Sequence, residues 1–184
     1  ALRTAPVLAD MMPTLLDQLL DLLKADSAAL MMRDAVNGDQ VVEAIRGAPI
    51  LRVGDRLAAG QGVAGYVMES GQPYLSQDVG NDPRFARRMM IHGKWAMAFV
   101  PLATREQIIG ALCIARQSTS ISKEDVRLLN TIGELAANAI HRASLYEQTQ
   151  HRIKQLALLH DIDRAISSSF DLRLTLNTIL DQLT

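Results

Sequence analysis

The chain has 184 residues, room for one full domain and an appendage. Nineteen basic residues against twenty acidic ones leave a net charge of −1, which gives no electrostatic basis for binding nucleic acid or an anionic membrane. Apolar residues make up 48 %, enough for a sizeable core, and eight methionines stand in for scarce aromatics (4 %). No apolar run approaches the ~18 residues of a membrane span, and no basic segment followed by an apolar core marks a signal peptide. One cysteine, Cys113, excludes an intramolecular disulfide framework and fits a reducing cytoplasm.

In chain order, Met12 to Ala25 carries an apolar helical stripe, Leu15, Leu16, Leu19, Leu20, Leu22 and Leu23, with Asp17, Gln18 and Asp21 opposite. Pro13 suits the first turn of that helix. Ser27 to Arg33 reads as a strand, Asn37-Gly38 as a tight turn and Gln40 to Arg46 as the antiparallel partner. Gly62 to Ser70 fits a short helix ended by Gly71, and Gln72 to Gln77 a further strand. Residues 79–93 lack a clear period and hold Gly80, Pro83 and Gly93, so they read as a loop with one helical turn near Phe85 to Met90. Two apolar strands, Ala96 to Leu102 and Ile108 to Ala115, form a hairpin through Thr104-Arg-Glu-Gln107. Ser122 and Asp125 have capping-box spacing and open a helix. The order predicts an α+β fold, an antiparallel sheet with helices gathered on one face.

Alternation divides the hairpin into two apolar faces, so the sheet is covered on both sides. Ala98, Val100 and Leu102 with Ile108, Gly110, Leu112 and Ile114 suit packing under long helices. Met97, Phe99 and Pro101 oppose the small Ala111, Cys113 and Ala115, a set that suits a cavity.

The stretch Gly60-Gln-Gly-Val-Ala-Gly-Tyr-Val-Met-Glu-Ser-Gly-Gln-Pro-Tyr-Leu75, then Asp78-Val79, Asn81-Asp82-Pro83-Arg84-Phe85 and the hairpin, resembles the GAF family of small-molecule sensor domains. The likeness extends over most of residues 8–146. It implies an antiparallel GAF/PAS-like sheet with helices on one face, a ligand-type pocket on the other and a long C-terminal helix. By similarity to bilin- and cyclic-nucleotide-binding relatives, the Met97 face is ligand-facing. The candidate pocket is then Tyr74, Asp78, Phe85, Met89, His92, Trp95, Met97, Phe99, Ala111, Cys113 and Ala115, with Met90 in the lid. Arg84, Arg87, Arg88 and Lys94 are further polar groups, and the expected ligand is small and largely apolar or aromatic. The competing expectation is that Met97, Phe99, Trp95 and the lid methionines fill the space themselves.

Catalytic chemistry finds little support. Cys113 lies between Leu112 and Ile114 in a central strand, the setting of a buried, inert thiol. The methionine sulfoxide reductases of the family use several cysteines, and bilin attachment in relatives uses cysteines elsewhere, so neither an enzyme nor a covalent bilin is expected. His141, His151 and His160 are spaced ten and nine apart, wrong for one metal on one helix, and His92 alone is weak ground for haem. The Asn-Lys-x-x-Phe-x-x-x-Asp-Glu signature of cyclic-nucleotide-binding relatives is absent. Gly60-x-Gly62-x-x-Gly65 mimics a dinucleotide fingerprint outside the required strand–turn–helix unit, and its glycines read as turn formers.

From Ser122 to about Ser167 there is no proline and one glycine, Gly133; a continuous helix here is on the order of 70 Å long at about 1.5 Å per residue. Ile132, Ala139, Tyr146 and Ile153 recur at sevens with Ala136, Ala143 and Ala157 between, a weak heptad interrupted by Gln150 and His160. Ile132, Ala136, Ala139, Ala143, Tyr146 and Ile153 form the candidate homodimer seam. Met12-Pro-Thr-Leu-Leu-Asp-Gln-Leu-Leu20 matches Leu176-Asn-Thr-Ile-Leu-Asp-Gln-Leu-Thr184, five positions being identical. The expected organisation is a sensor domain over 1–146, a helical linker over 147–170 and the opening of a second GAF copy over 171–184. The chain then belongs to a longer cytoplasmic signalling protein whose histidine kinase, diguanylate cyclase or transcriptional output lies outside it. The alternative is a ligand-free dimerisation and spacer module.

Overall fold

The computed structural model describes residues 6–48, 51–85 and 93–181, with side-chain environments for 11–48, 51–85, 93–160 and 162. It divides into two units, residues 1–143 and 144–184. In the first, α1 (Pro6–Leu23) precedes β1 (Ser27–Arg33), β2 (Gln40–Gly47), β3 (Arg56–Leu57), α2 (Gly62–Ser70) and β4 (Tyr74–Ser76). A 3₁₀ turn (Val79–Asn81), β5 (Trp95–Ala103), β6 (Ile108–Gln117) and α3 (Lys123–Asp181) follow, and the second unit contains the rest of α3. The six strands make one antiparallel sheet in the order β3-β2-β1-β6-β5-β4.

One face is built as the sequence implies. Met12, Leu16, Leu19 and Leu23 recur at helical spacing and bury the inner side of α1. They meet Ala28 and Leu30 of β1, Ala98, Val100 and Leu102 of β5, Leu112 and Ile114 of β6, and Leu129, Ala137 and Ile140 of α3. Gly133 lets α3 approach the sheet: a Cβ there would stand 3.0 Å from Val100 Cγ2 and 3.2 Å from the Pro101 carbonyl oxygen.

The reading that gathers the helices on one face holds for α1 and α3. The short α2 packs on the other, where Val63, Ala64, Val67 and Met68 are buried with Met97, Phe99 and Cys113. Pro13 lies inside α1, because the helix starts at Pro6; it is Pro6 that occupies the first turn, where the missing N–H costs nothing. The β1–β2 connection takes residues 34–39 rather than two. Asp34 Oδ1 accepts the Val36 N–H and Asn37 Oδ1 the Asp39 N–H, beside backbone bonds from the Asp34 N–H to the Asp39 carbonyl at 2.7 Å and from the Gly38 N–H to the Asp34 carbonyl at 2.9 Å. Two-residue β3, held on Gln40 and Val41, is too short to leave a periodic signal.

The capping box forms as spaced: Ser122 N donates to Asp125 Oδ2 at 2.9 Å and Asp125 N to Ser122 Oγ at 3.0 Å. Partial burial presses the Asp125 carboxyl upward. The Ser122 backbone and hydroxyl with the Arg116 guanidinium, 2.8 Å away, outweigh it and hold the group below its ordinary value. Among the described residues no helix is long and apolar enough to cross a membrane.

Candidate functional site

The second face of the sheet carries the site. Pairing sets Met97 against Ala115, Phe99 against Cys113 and Pro101 against Ala111, so large side chains of β5 oppose small ones of β6. Trp95, Met97, Phe99, Ala111, Cys113 and Ala115 lie in one cluster with α2, Val79, Ala29, Met31 and Val42, and Tyr74 and Phe85 pack on its edge. Phe85 meets Phe99 edge to face at 5.9 Å. Exposures of 6 % for Trp95, 3 % for Met97 and 4 % for Phe99 mean that these side chains occupy much of the space beneath α2.

Local chemistry fixes α2 over this face. Gly65 is backbone-tight: a Cβ there would lie 2.3 Å from the Gly60 carbonyl carbon and 2.7 Å from Gln40 Nε2. Gln40, buried, donates from Nε2 to the Ala58 and Gln61 carbonyls at 2.9 and 3.0 Å, tying down the loop that enters the helix. At the far end Arg33 Nη2 donates to the Met68 carbonyl at 3.0 Å, and Gly71 caps the helix in the left-handed conformation. The glycine-rich stretch therefore serves a turn and a close approach, not a phosphate cradle.

A polar cluster borders the apolar face. The Tyr74 hydroxyl donates to Asp82 Oδ2 at 2.8 Å, and the Arg84 backbone N–H donates to Asp82 Oδ1 at 3.0 Å. The Arg84 guanidinium carbon sits 4.5 Å from the Tyr66 ring centre and 5.1 Å from that of Tyr74, and the two rings meet edge to face at 5.8 Å. Burial pushes the Asp82 carboxyl up, yet the Arg84 N–H, the Tyr74 and Ser76 side chains and the Arg84 charge together hold it below its usual value. Burial and then the neighbouring carboxylate raise the Tyr74 phenol above its own.

Tyr74, Phe85, Trp95, Met97, Phe99, Ala111, Cys113 and Ala115 of the sequence-derived set thus share one face and its rim. Asp78 does not join them; its carboxylate accepts from Asn81 Nδ2 at 2.8 Å and serves the local turn. Met89, Met90, His92, Arg87 and Arg88 lie outside the described residues, as does most of the helical turn read near Phe85 to Met90. Sequence reasoning passed over Tyr66, Asp82 as a hydrogen-bond hub, and the α2 roof; the spacings Val63/Val67 and Ala64/Met68 carried the roof's signal. Cys113 is 1 % exposed, and burial pushes its thiol up to about 12 against a weaker opposing contact from the Ala29 backbone. Of the seam residues, Ala136 is buried and Ile132 and Ala143 pack on the domain's own core, Ala139 is partly covered, and Tyr146 (65 %) and Ile153 (53 %) are exposed. Among the described residues no group of three or more His, Cys, Asp or Glu is placed to hold a metal ion.

The GAF domain family model matches residues 8–140. The chain belongs to the GAF domain family. Its fold is similar to the GAF domain of a phosphoenolpyruvate-protein phosphotransferase from Coxiella burnetii, with a TM-score of 0.69 at 25 % identity, covering 78 % of this chain and 88 % of that one. The type II free methionine-R-sulfoxide reductase from Thermoplasma acidophilum shares the fold (TM-score 0.62, 20 % identity, 73 % and 92 % covered). So does the GAF-B domain of DevS from Mycobacterium smegmatis (0.63, 17 %, 77 % and 98 %). No curated protein matches the chain. The family match ends at residue 140, and no second GAF match covers 171–184.

Proposed function

We propose that this GAF domain senses a small, largely apolar or aromatic molecule for a cytoplasmic signal-transduction protein and passes the result along α3. The observation that carries the reading is the large-against-small register of Met97/Ala115 and Phe99/Cys113 beneath α2, with the Tyr66–Tyr74–Asp82–Arg84 cluster at its edge. An apolar floor with a few fixed polar groups at the rim is the composition of a small-molecule site. The domain acts by binding and not by catalysis, since its one thiol is buried and protonated at neutral pH. The Thermoplasma relative is an enzyme by name, which makes a sulfoxide-reduction assay the direct check on this point. The output is a histidine kinase, diguanylate cyclase or transcriptional regulator in the same full-length protein. The chain acts as a homodimer, and residues 171–184 open a second copy, their sequence repeating part of α1. Leu128 (42 %) and Leu135 (67 %) in the first unit, and Tyr146 and Ile153 in the second, are among the exposed apolar residues of α3 that could meet a partner.

A native mass spectrum with an absorption scan of the purified chain tests the sensor reading. A retained non-covalent mass supports it. A clean dimer without ligand favours the second reading, a ligand-free dimerisation and spacer module. The low exposure of Trp95, Met97 and Phe99, which fill the face themselves, speaks for that alternative. Ala115→Leu separates the two. In a filled face the extra bulk costs about 1–3 kcal/mol; in a face that opens for a ligand it is accommodated and ligand uptake is lost.

A further inference from the structure

The connection from β6 to α3 is gripped by residues from the ends of two strands. Gln77 leaves the end of β4 and pairs its side-chain amide with both backbone groups of one residue. Its Nε2 donates to the Ile121 carbonyl at 2.7 Å, and its Oε1 accepts the Ile121 N–H at 3.2 Å. A carboxamide has the donor and acceptor of a peptide group, so this pair does what a neighbouring strand would do across 44 positions of sequence. Ile121 immediately precedes the capping residue Ser122, and its own side chain is 1 % exposed in the α1–α3 core. From β6, directly after the site residue Ala115, Arg116 donates through Nε and Nη2 to the Leu23 carbonyl that ends α1. Through Nη1 it donates to the Ser120 carbonyl at 3.1 Å and to Asp125 at 2.8 Å.

Both grips start at strands that carry the candidate site. Tyr74 and Ser76, which hold Asp82, are in β4, three residues and one residue before Gln77. We propose that Gln77 is the coupling residue of this domain, transmitting a displacement of the Tyr74–Asp82 cluster to the root of α3 through its paired contact with Ile121. Arg116 anchors the same root to the end of α1, so a pull at Ile121 is resisted at Asp125 and loads the first turn of α3. The inference takes its purpose from the sensor reading, but its measurement does not depend on a ligand.

Tyr74→Phe drops the hydroxyl on Asp82 without altering the ring. Gln77→Met keeps chain length and removes both hydrogen bonds, and because Gln77 is exposed the core is untouched. Amide hydrogen exchange at residues 121–126 is read for the parent, each single variant and the double. Expected is a rise of about fivefold for Tyr74→Phe in the parent and no further rise on the Gln77→Met background. Gln77→Asn, too short to span the pair, repeats the Met result. The same factor in both backgrounds, or no change at 121–126 on Tyr74→Phe, overturns the proposal. A non-additive pair in a chain that retains no ligand keeps the coupling and sinks the sensor reading, and an additive pair in a ligand-bound chain does the reverse.

Discussion

Gly65 and Cys113 show how much one position can decide. With the Gly60 backbone 2.3 Å from where a Cβ would sit, Gly65→Ala forces the loop or α2 to shift. The expected loss is about 1–3 kcal/mol, read as a lower denaturant midpoint at unchanged m-value. Cys113 is predicted to resist iodoacetamide in the native protein up to pH 9 and to react fully in denaturant, because both access and thiolate are denied by burial. Fast native labelling would contradict the buried placement. The inert thiol was legible from its apolar neighbours in a strand, and the glycine roles from the missing parallel-sheet context. Tyr66 was not: its value lies in what it touches, Arg84 and Tyr74, and those contacts cross the gap between α2 and β4.

At the scale of elements, the start of α3 is the most strongly specified joint. Ser122→Ala removes one arm of the capping box and is expected to cost about 1 kcal/mol by thermal or chemical melting. Asp125 has a folded pKa below its ordinary 3.8, so its contribution is fully present above about pH 4 and is lost as pH falls through the folded value. Acidification from pH 5 to pH 2.5 should therefore destabilise the parent more than Asp125→Asn, when melting temperatures are compared across that range. Equal slopes would mean the carboxylate carries no net linkage. Long periodic elements were legible here: both strands of the β5–β6 hairpin and α2 with its Gly71 cap emerged near their observed bounds, and α1 near its C-terminal end though it starts six residues earlier, at Pro6. Pro13 and β3 did not. A proline's position relative to a helix start depends on where the helix begins, and two residues of strand have no period to detect.

For the whole molecule the open matter is what covers α3. Leu128 and Leu135 face solvent while Ala136 and Ile140 are committed to the sheet, so one stretch of helix carries two apolar faces with different uses. In the proposed homodimer, Leu128→Glu with Leu135→Glu is expected to turn dimer into monomer by light scattering while leaving the melting temperature of the domain within a few degrees. A dimer that survives the pair removes these residues from the interface. Of the seam read from heptad spacing, Ala136 is buried and Ile132 and Ala143 pack on the domain's own core. Spacing records which residues align along a helix, whereas the packing of α3 on β5 and β6 determines which of them remain available.

The chain's own residues determined the fold family, the helical and strand periods, the caps and the absence of a catalytic cysteine pair. The periods, the caps and the cysteine count rest on local spacing and side-chain type, which act between neighbours in sequence, and the fold family rests on the resemblance of the stretch from Gly60 through the hairpin. Tertiary structure decided the rest. It put α2 over the Met97 face, made Asp82 the hub of a tyrosine–arginine cluster, sent Asp78 to a local turn and joined Gln77 to Ile121. Each depends on groups distant in sequence meeting at hydrogen-bond or van der Waals range, and no period within either segment encodes that meeting.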